Sequence, residues 1–139
     1  VPVVDTTKNL KLYRALESAI DQELIASTQS VHRGGLAVAL AKTAVGGWLG
    51  LEISLQELPG NTKTDEAKLW SESQGRIVVT IEPVNKEKFE ALLNGNAYKQ
   101  IGVVRNDGAF TVQSVDEKEI VKTTVEELSN SYESTFKDY

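Results

Sequence analysis

Two short segments of the chain carry residues whose types and spacing could bind an anion. In the first, Arg33 precedes Gly34 and Gly35, and an unbroken apolar run over residues 36–45 follows. Such a run predicts a helix that is buried on most of its circumference. Glycines at a helix start leave amide N–H groups uncovered at the positive end of the dipole, and a guanidinium beside them would clamp a phosphate or carboxylate. The alternatives are a tight turn that only joins a strand to the helix, and a salt bridge from Arg33 to a neighbouring loop.

The second segment is the turn over residues 71–76, with the sequence Ser-Glu-Ser-Gln-Gly-Arg. It is dense in hydrogen-bond donors and precedes a predicted core strand, and loops at strand ends commonly carry binding residues. We expect Ser73, Gln74 and Arg76 to face the same cleft as Arg33 and the glycine pair, because both segments lie where a loop meets a regular element. The alternative is that Arg76 only begins the strand and pairs with a carboxylate across the sheet.

The composition excludes several kinds of catalytic site. The chain has no cysteine and one histidine, which excludes cysteine nucleophiles, thiolate zinc sites and multi-histidine metal sites. His32 stands next to Arg33 and could serve as a base or phosphate ligand, but no partner carboxylate lies near it in the sequence. No nucleophile–base pair, P-loop or dinucleotide motif is present. We therefore predict no catalytic residue and no metal site, although a carboxylate site for magnesium or calcium is compatible with the composition.

Charge and hydropathy restrict the possible partners. The net charge is −5 with Lys and Glu interleaved, so no basic stripe is available for nucleic acid. No apolar run approaches the roughly 20 residues that cross a bilayer, which predicts a soluble, cytoplasmic protein without a membrane partner. The chain begins with Val1 and contains no methionine, so either an initiator has been removed or the chain is a piece of a longer protein. We expect one domain over residues 1–139, with residues 1–6 as a linker.

Apolar periodicity and turn signals give the predicted elements. A first helix, capped by Asp5, Thr6 or Thr7, has an apolar face at Leu10, Tyr13, Leu16, Ile20 and Leu24. Two short helices follow, one capped at Thr64 and one capped by Asn85. A last helix begins at Thr124, with a capping box from Thr124 and Glu127, and buries Val125, Leu128, Tyr132 and Phe136. Strands are predicted over residues 25–31, 49–55, 76–81, 98–104, 109–115 and 120–123.

The fold class follows from the order of these elements. Residues 105–108 read Arg-Asn-Asp-Gly, which predicts a hairpin between the strands on either side. One hairpin among several strand–helix crossings favours an α/β (α+β) fold, with a mixed β-sheet and helices packed over it. Trp48 and Trp70 are predicted to lie in the core or an interface, because no basic residue adjoins them.

Four runs, over residues 24–42, 71–81, 99–104 and 125–128, together resemble the C-terminal domain of phosphoribosylformylglycinamidine synthase. They follow the order of that family and span almost the whole chain. The glycine pair with its helix also resembles the wider superfamily of aminoimidazole ribonucleotide synthetase, selenophosphate synthetase, thiamine monophosphate kinase and a hydrogenase maturation protein. The Ser-Glu-Ser-x-x-Arg run before a strand favours the first family.

The resemblance implies a fold like the C-terminal domain of aminoimidazole ribonucleotide synthetase. It also implies an enzyme that uses ATP and Mg²⁺ to activate the amide oxygen of formylglycinamide ribonucleotide and admits glutamine-derived ammonia to form the amidine. The ATP-binding residues of the family lie in the preceding domain, so this domain alone is expected to bind no cofactor and to be inert. The implied partners are that preceding domain, a glutaminase subunit and a small bridging subunit.

The sequence departs from the superfamily at one pair of positions. Gln29 and Ser30 stand where many members have a His-Asp pair, and neither can ionise, which argues against acid–base chemistry by this segment. A ribonucleotide phosphate is the anion expected at Arg33, Gly34 and Gly35. Two other functions stay open: an autonomous small-molecule-binding or regulatory module, and a domain of another ATP-dependent synthetase or kinase of the superfamily.

Overall fold

A computed structural model describes residues 4–134 as five helices, six strands and one 3₁₀ turn. The helices are α1 (Thr6–Asp21), α2 (Gly35–Gly47), α3 (Asp65–Trp70), α4 (Lys86–Leu92) and α5 (Val125–Ser134), with the 3₁₀ turn Pro83–Asn85 before α4. The strands are β1 (Ser27–Ser30), β2 (Gly50–Ser54), β3 (Ile77–Thr80), β4 (Gly102–Arg105), β5 (Ala109–Gln113) and β6 (Glu119–Thr124). Helices and strands alternate through most of the chain, as the sequence predicts.

The strands form two separate sheets among the described residues. Strands β1 and β3 make an antiparallel two-stranded sheet, and the other four make a sheet of order β4-β2-β5-β6. The larger sheet is mixed, because β2 is antiparallel to β4 and parallel to β5. The predicted α/β fold with a mixed sheet and helices over it is confirmed, but the strand over residues 76–81, predicted for the core of that sheet, belongs to the small one.

The predicted hairpin between β4 and β5 is wrong. Both strands pair with β2, which lies between them in the sheet. The turn at 105–108 therefore crosses over the end of β2 and does not join two hydrogen-bonded neighbours. Gly50 of β2 allows this arrangement, because a Cβ there would lie 2.2 Å from the carbonyl oxygen of Ala109. Arg105 also reaches across to β2, where its Nη1 donates to Oε2 of Glu52 at 2.6 Å. The residues of the turn are compatible with a hairpin and with a crossing over β2, and the pairing of β2 between β4 and β5 decides in favour of the crossing.

Two apolar cores hold the helices against the sheets. In the larger core, α2 packs on the four-stranded sheet, and Leu40 and Val112 are almost completely buried there. The smaller core joins α1 and α4 through Leu16 and Phe89. Strand β3 contributes to both, because Val78 packs against the larger core while its two apolar neighbours in the strand pack against the smaller one. The predicted burial of α2 is therefore confirmed.

Several predicted positions differ in the structure. Three apolar residues of α1 are exposed instead of buried, namely Leu10, Tyr13 and Ile20. Tyr132 of α5 is 67% exposed, and Phe136 lies outside the described residues. Both tryptophans are exposed, so neither belongs to the core. The physical reason is that periodicity locates an apolar stripe but does not tell whether another element covers it.

Two element boundaries also differ from the prediction. Helix α1 begins at Thr6, with Asp5 as its N-cap, so the last residue of the predicted linker is helical. Asn85 ends the 3₁₀ turn and its side chain makes no capping bond to α4, because the chain enters that helix already in helical conformation.

A charged cluster closes the 105–108 turn. Arg105 Nε donates to Oδ1 of Asp107 at 3.0 Å, and its Nη2 also contacts that carboxylate. Asp107 Oδ1 in addition accepts from the amide of Ala109 at 3.1 Å. The hydrogen bond from the Arg105 side chain is the main cause that lowers the pKa of Asp107 to about 2. The pairing likewise raises the pKa of Arg105.

We expect this pairing to set part of the acid sensitivity of the fold. A pKa of about 2 in the folded chain lies below the ordinary value of about 3.9 for an aspartate, so the stabilisation is present above about pH 4 and is lost as the pH falls towards 2. Asp107→Asn should therefore unfold at lower urea concentration than the parent chain at pH 6, with most of the difference gone at about pH 2.

A matched control is Glu17→Gln, because Glu17 is exposed in the middle of α1, away from the helix ends, and forms no ion pair with any residue of the described range. Its urea midpoint should follow that of the parent at both pH values. A deficit of Asp107→Asn that is equally large at pH 2 and pH 6 would contradict the assignment to this carboxylate.

Candidate functional site

The glycine turn, residues 32–35, connects β1 to α2. Gly34 and Gly35 both have left-handed backbone angles, with φ of 80° and 64°. The amide of Gly35 donates to the carbonyl of His32 at 2.9 Å, which closes the turn at the first residue of the helix. His32 and Arg33 are exposed at the tip. The glycine pair therefore starts the helix as predicted, and Arg33 presents its guanidinium at the surface as predicted.

Gly35 lies against the end of α3. A Cβ at this position would lie 2.4 Å from the carbonyl oxygen of Leu69 and 2.8 Å from that of Ser71. Only a residue without a side chain allows the start of α2 and the end of α3 to approach so closely. This contact brings the glycine turn beside the serine turn, which we define as residues 71–76.

One hydrogen bond joins the two turns directly, and a second joins the residue before the glycine turn to the end of the serine turn. The amide of Gly34 donates to Oε1 of Glu72 at 2.8 Å, across 38 residues of sequence. At the base of the turns, the amide of Val31 donates to the carbonyl oxygen of Arg76 at 3.0 Å. The glycine turn and the serine turn are thus neighbours, as the predicted common site requires. The phosphate-binding role of their residues stays a prediction.

The amides predicted to bind an anion already have acceptors. Gly34 donates to a carboxylate of the protein itself, and Gly35 donates to the backbone of His32. Glu72 thus lies where the positive end of the α2 dipole and an uncovered amide favour negative charge. Glu72 lies in the turn that was predicted to be part of the site, but the sequence analysis did not include it among the site residues. Its position as the one acidic residue in a turn rich in hydrogen-bond donors could have indicated that it accepts a hydrogen bond there.

Arg76 stabilises the serine turn from within. Its Nη2 contacts the carbonyl oxygen of Ser71 and donates to Ser71 Oγ at 3.1 Å. Its Nε is buried and has no acceptor within the described residues, and burial lowers the pKa of the guanidinium. It forms no ion pair with any residue from 4 to 134, so the alternative of a carboxylate partner across the sheet is not observed.

The remaining predicted residues lie at the surface of the two turns. Arg33 is exposed and forms no ion pair within residues 4–134, so the salt bridge considered for it is absent from that range. Gln74 is exposed and Ser73 is half-buried. Arg33 is therefore the positive charge that the site offers to solvent.

A groove lies elsewhere, lined by strands β2 and β4, by helix α4 and by the segment before β4. Its volume is about 740 Å³, and its polar lining includes Glu52, Ser54, Lys86, Lys99 and Gln100. Lys99 pairs with Glu57, which neutralises part of this charge, whereas Lys86 donates to the neutral amide oxygen of Gln100 at 2.9 Å and keeps its charge. The sequence analysis assigned no function to this surface.

The described residues do not form a metal site. No group of three or more His, Asp or Glu side chains between residues 4 and 134 is placed to hold a metal ion. Across the same range, no helix has the length and apolar character that a bilayer-spanning helix needs.

The residues around both turns fall within one family of domains. A family model described as "AIR synthase related protein, C-terminal domain" matches residues 1–115. The chain belongs to this family. The matched range contains the glycine turn, helix α2 and the serine turn, so the whole candidate site lies within it.

Curated relatives agree with the resemblance that the sequence suggested. The chain is 38% identical over 136 residues to the phosphoribosylformylglycinamidine synthase subunit PurL of Methanocaldococcus jannaschii, which covers 98% of the chain and 18% of that protein. It is 35% identical over 103 residues to the PurL subunit of Lactobacillus helveticus, covering 74% of the chain and 13% of that protein. The resemblance is confirmed, and the chain spans less than a fifth of the length of these relatives.

Solved structures agree in fold. Thermotoga maritima PurL complexed with FGAR superposes with a TM-score of 0.82 at 20% identity, over 93% of the chain and 22% of that protein. The PurLQS structure from the same organism also gives 0.82 at 20% identity, over 93% and 23%. T. maritima PurL complexed with ATP gives 0.77 at 20% identity, over 86% and 21%.

Proposed function

We propose that the chain is the C-terminal domain of a synthase that converts formylglycinamide ribonucleotide, ATP and glutamine-derived ammonia to formylglycinamidine ribonucleotide. The observation that carries this proposal is the 38% identity to a PurL subunit along almost the whole chain. In the proposed reaction ATP transfers its terminal phosphoryl group to the amide oxygen of the substrate and becomes ADP. Ammonia then forms the new C–N bond as the C–O bond breaks, and the oxygen leaves in inorganic phosphate. The nitrogen comes from a glutaminase subunit.

The contribution proposed for this domain is to hold the ribonucleotide phosphate at the paired turns. Arg33 supplies an exposed guanidinium, and Gly34 supplies an amide at the positive end of α2. Glu72 accepts the hydrogen bond of that amide until the phosphate takes its place. Glu72 can move away because it is exposed on a turn. Ser73 and Gln74 lie within reach of a ligand at the turn surface.

Arg76 and Gly35 support this site without facing the ligand. Arg76 fixes the serine turn through Ser71, and Gly35 lets that turn approach the helix start. ATP and Mg²⁺ belong to the preceding domain in this proposal, and this domain binds neither alone. The proposed partners are that domain, a glutaminase subunit and a small bridging subunit, and the likeness to the PurLQS structure of T. maritima supports a multi-subunit assembly. The proposed location is the cytoplasm.

The test is an assay of the longer protein beside the 139-residue chain. The longer protein should form ADP and the amidine only when formylglycinamide ribonucleotide, ATP and ammonia are all present, and the chain alone should form neither. ADP formed without dependence on this ribonucleotide would favour another synthetase or kinase of the superfamily. Amidine formed by the shorter chain alone would contradict the proposed division between domains.

A further inference from the structure

Helix α1 has a second apolar stripe that nothing in the described part of the chain covers. Leu16 and Ala19 are buried against α4 and β3, as expected for the inner face. Leu10, Tyr13 and Ile20 are 52%, 46% and 52% exposed. Their spacing of three and seven residues puts them on one side of the helix. Single exposed apolar residues are common on protein surfaces, but three in a row form a patch.

The stripe is one wall of a groove. The other wall comes from the small sheet, with Thr28 of β1 and Ile77 of β3, and the groove has a volume of about 530 Å³. Its charged residues are Arg14, Glu17 and Asp21, and none of them forms an ion pair with another described residue. An apolar centre with charged residues at its border is the usual composition of a protein–protein contact.

Strand β1 adds hydrogen-bonding capacity beside the groove. It pairs with β3 on one side, and within residues 4–134 no strand pairs with its other side. Its side chains are mostly exposed, as at a sheet edge. A segment that lies in the groove would therefore meet apolar side chains from α1 and lie against a small sheet in which β1 has a free edge.

We propose that this groove docks an apolar segment of the polypeptide that precedes residue 1 in the longer synthase. The inference rests on the proposed function, because it requires that longer protein. The M. jannaschii relative has more than four fifths of its length outside the matched region. The preceding chain joins α1 at its cap, Asp5, and Leu10 begins the stripe about 7.5 Å further along the axis. The docking segment is thus tethered close to its site.

The size of the groove favours a tethered segment over a second copy of the chain. Nine residues line it, whereas stable interfaces between separate proteins use about 20–30 residues on each side. A covalently linked segment needs less contact area, because a short linker gives an effective concentration of about the millimolar range. A small, partly charged groove can therefore hold a neighbouring domain in place.

Cysteine labelling in the full-length synthase tests the proposal. The chain itself has no cysteine, so Ile20→Cys and Leu10→Cys each introduce a traceable thiol in the stripe. Val84→Cys is the matched control, because Val84 is 78% exposed on the 3₁₀ turn and lies outside the groove. Maleimide modification of the corresponding peptides is followed by mass spectrometry, in native enzyme and in concentrated urea.

Both stripe cysteines should react at least about tenfold more slowly in native enzyme than in urea, while the cysteine at position 84 reacts at nearly the same rate in both. Equal native rates at all three positions would overturn the proposal. Protection that disappears on dilution would also overturn it, because a second copy would then be the occupant. The labelling needs no substrate, so an enzyme without amidine-forming activity but with protected cysteines refutes the function and leaves this inference standing.

Discussion

Gly35→Ala is expected to lower the free energy of unfolding of the chain by about 2–6 kcal/mol, since a strained backbone and an overpacked contact each cost about 1–3 kcal/mol. The backbone strain arises because φ at this position is 64°. The overpacking arises because the added Cβ would lie 2.4 Å from the carbonyl oxygen of Leu69, and backbone cannot move aside as a flexible side chain can. Urea unfolding followed by circular dichroism measures the loss, and the absence of any cooperative transition would be its extreme form.

The same helix provides the control for this substitution. Gly46 belongs to α2, is exposed, and an added Cβ would meet no atom within 4 Å. Gly46→Ala should therefore stabilise the chain by about 0.5–1 kcal/mol, because alanine loses less backbone entropy in a helix. Similar small effects at both positions would mean that α3 does not pack against the start of α2 as described.

Arg33→Ala in the full-length synthase is expected to raise the KM for formylglycinamide ribonucleotide by about tenfold or more, which corresponds to the loss of a charge-assisted hydrogen bond of about 1.5–3 kcal/mol. The KM for ATP should stay nearly unchanged, because ATP is assigned to the preceding domain. The value of kcat should also change little if Arg33 binds the ground state and the transition state equally. Steady-state kinetics with each substrate varied in turn separates these effects.

Two further variants sharpen this experiment. Glu72→Gln removes the carboxylate that occupies the amide of Gly34, so it should lower the KM for the ribonucleotide if phosphate displaces Glu72. Lys88→Ala removes an exposed cation on α4, away from both turns, and should leave both KM values unchanged. Unchanged ribonucleotide KM in Arg33→Ala, or a KM rise for ATP instead, would remove the proposed phosphate site.

Local signals in the sequence predicted the features that depend on neighbouring residues. The capping box of α5 is one, because Thr124 Oγ1 accepts from the Glu127 amide at 3.2 Å and Glu127 Oε2 accepts from the Thr124 amide at 3.0 Å. The cap of α3 is another, with Thr64 Oγ1 accepting from the amide of Ala67. Both need only residues within one helical turn of each other, so the pattern and the contact coincide.

Predictions that required long-range pairing were less successful. The turn at residues 105–108 has the composition of a hairpin, and only the insertion of β2 between β4 and β5 shows that it connects next-but-one strands. The residue types of a turn restrict its backbone angles but do not determine which strands pair, so the sequence of this turn could not reveal the inserted strand. The exposed stripe on α1 was missed for a related reason, because periodicity identifies an apolar face without identifying its cover.

Composition and local pattern were enough to predict the class of fold, the buried helix α2, the two turns that flank the candidate site and the absence of cysteine chemistry. Each of these depends on residue content or on residues close together in the chain. Three features emerged from the folded chain alone: Glu72 occupies the amide of Gly34, Arg76 turns back onto Ser71, and Arg33 is left exposed. The contact between Glu72 and Gly34 forms across 38 residues because α2 and α3 pack closely at Gly35, and that packing depends on the whole core.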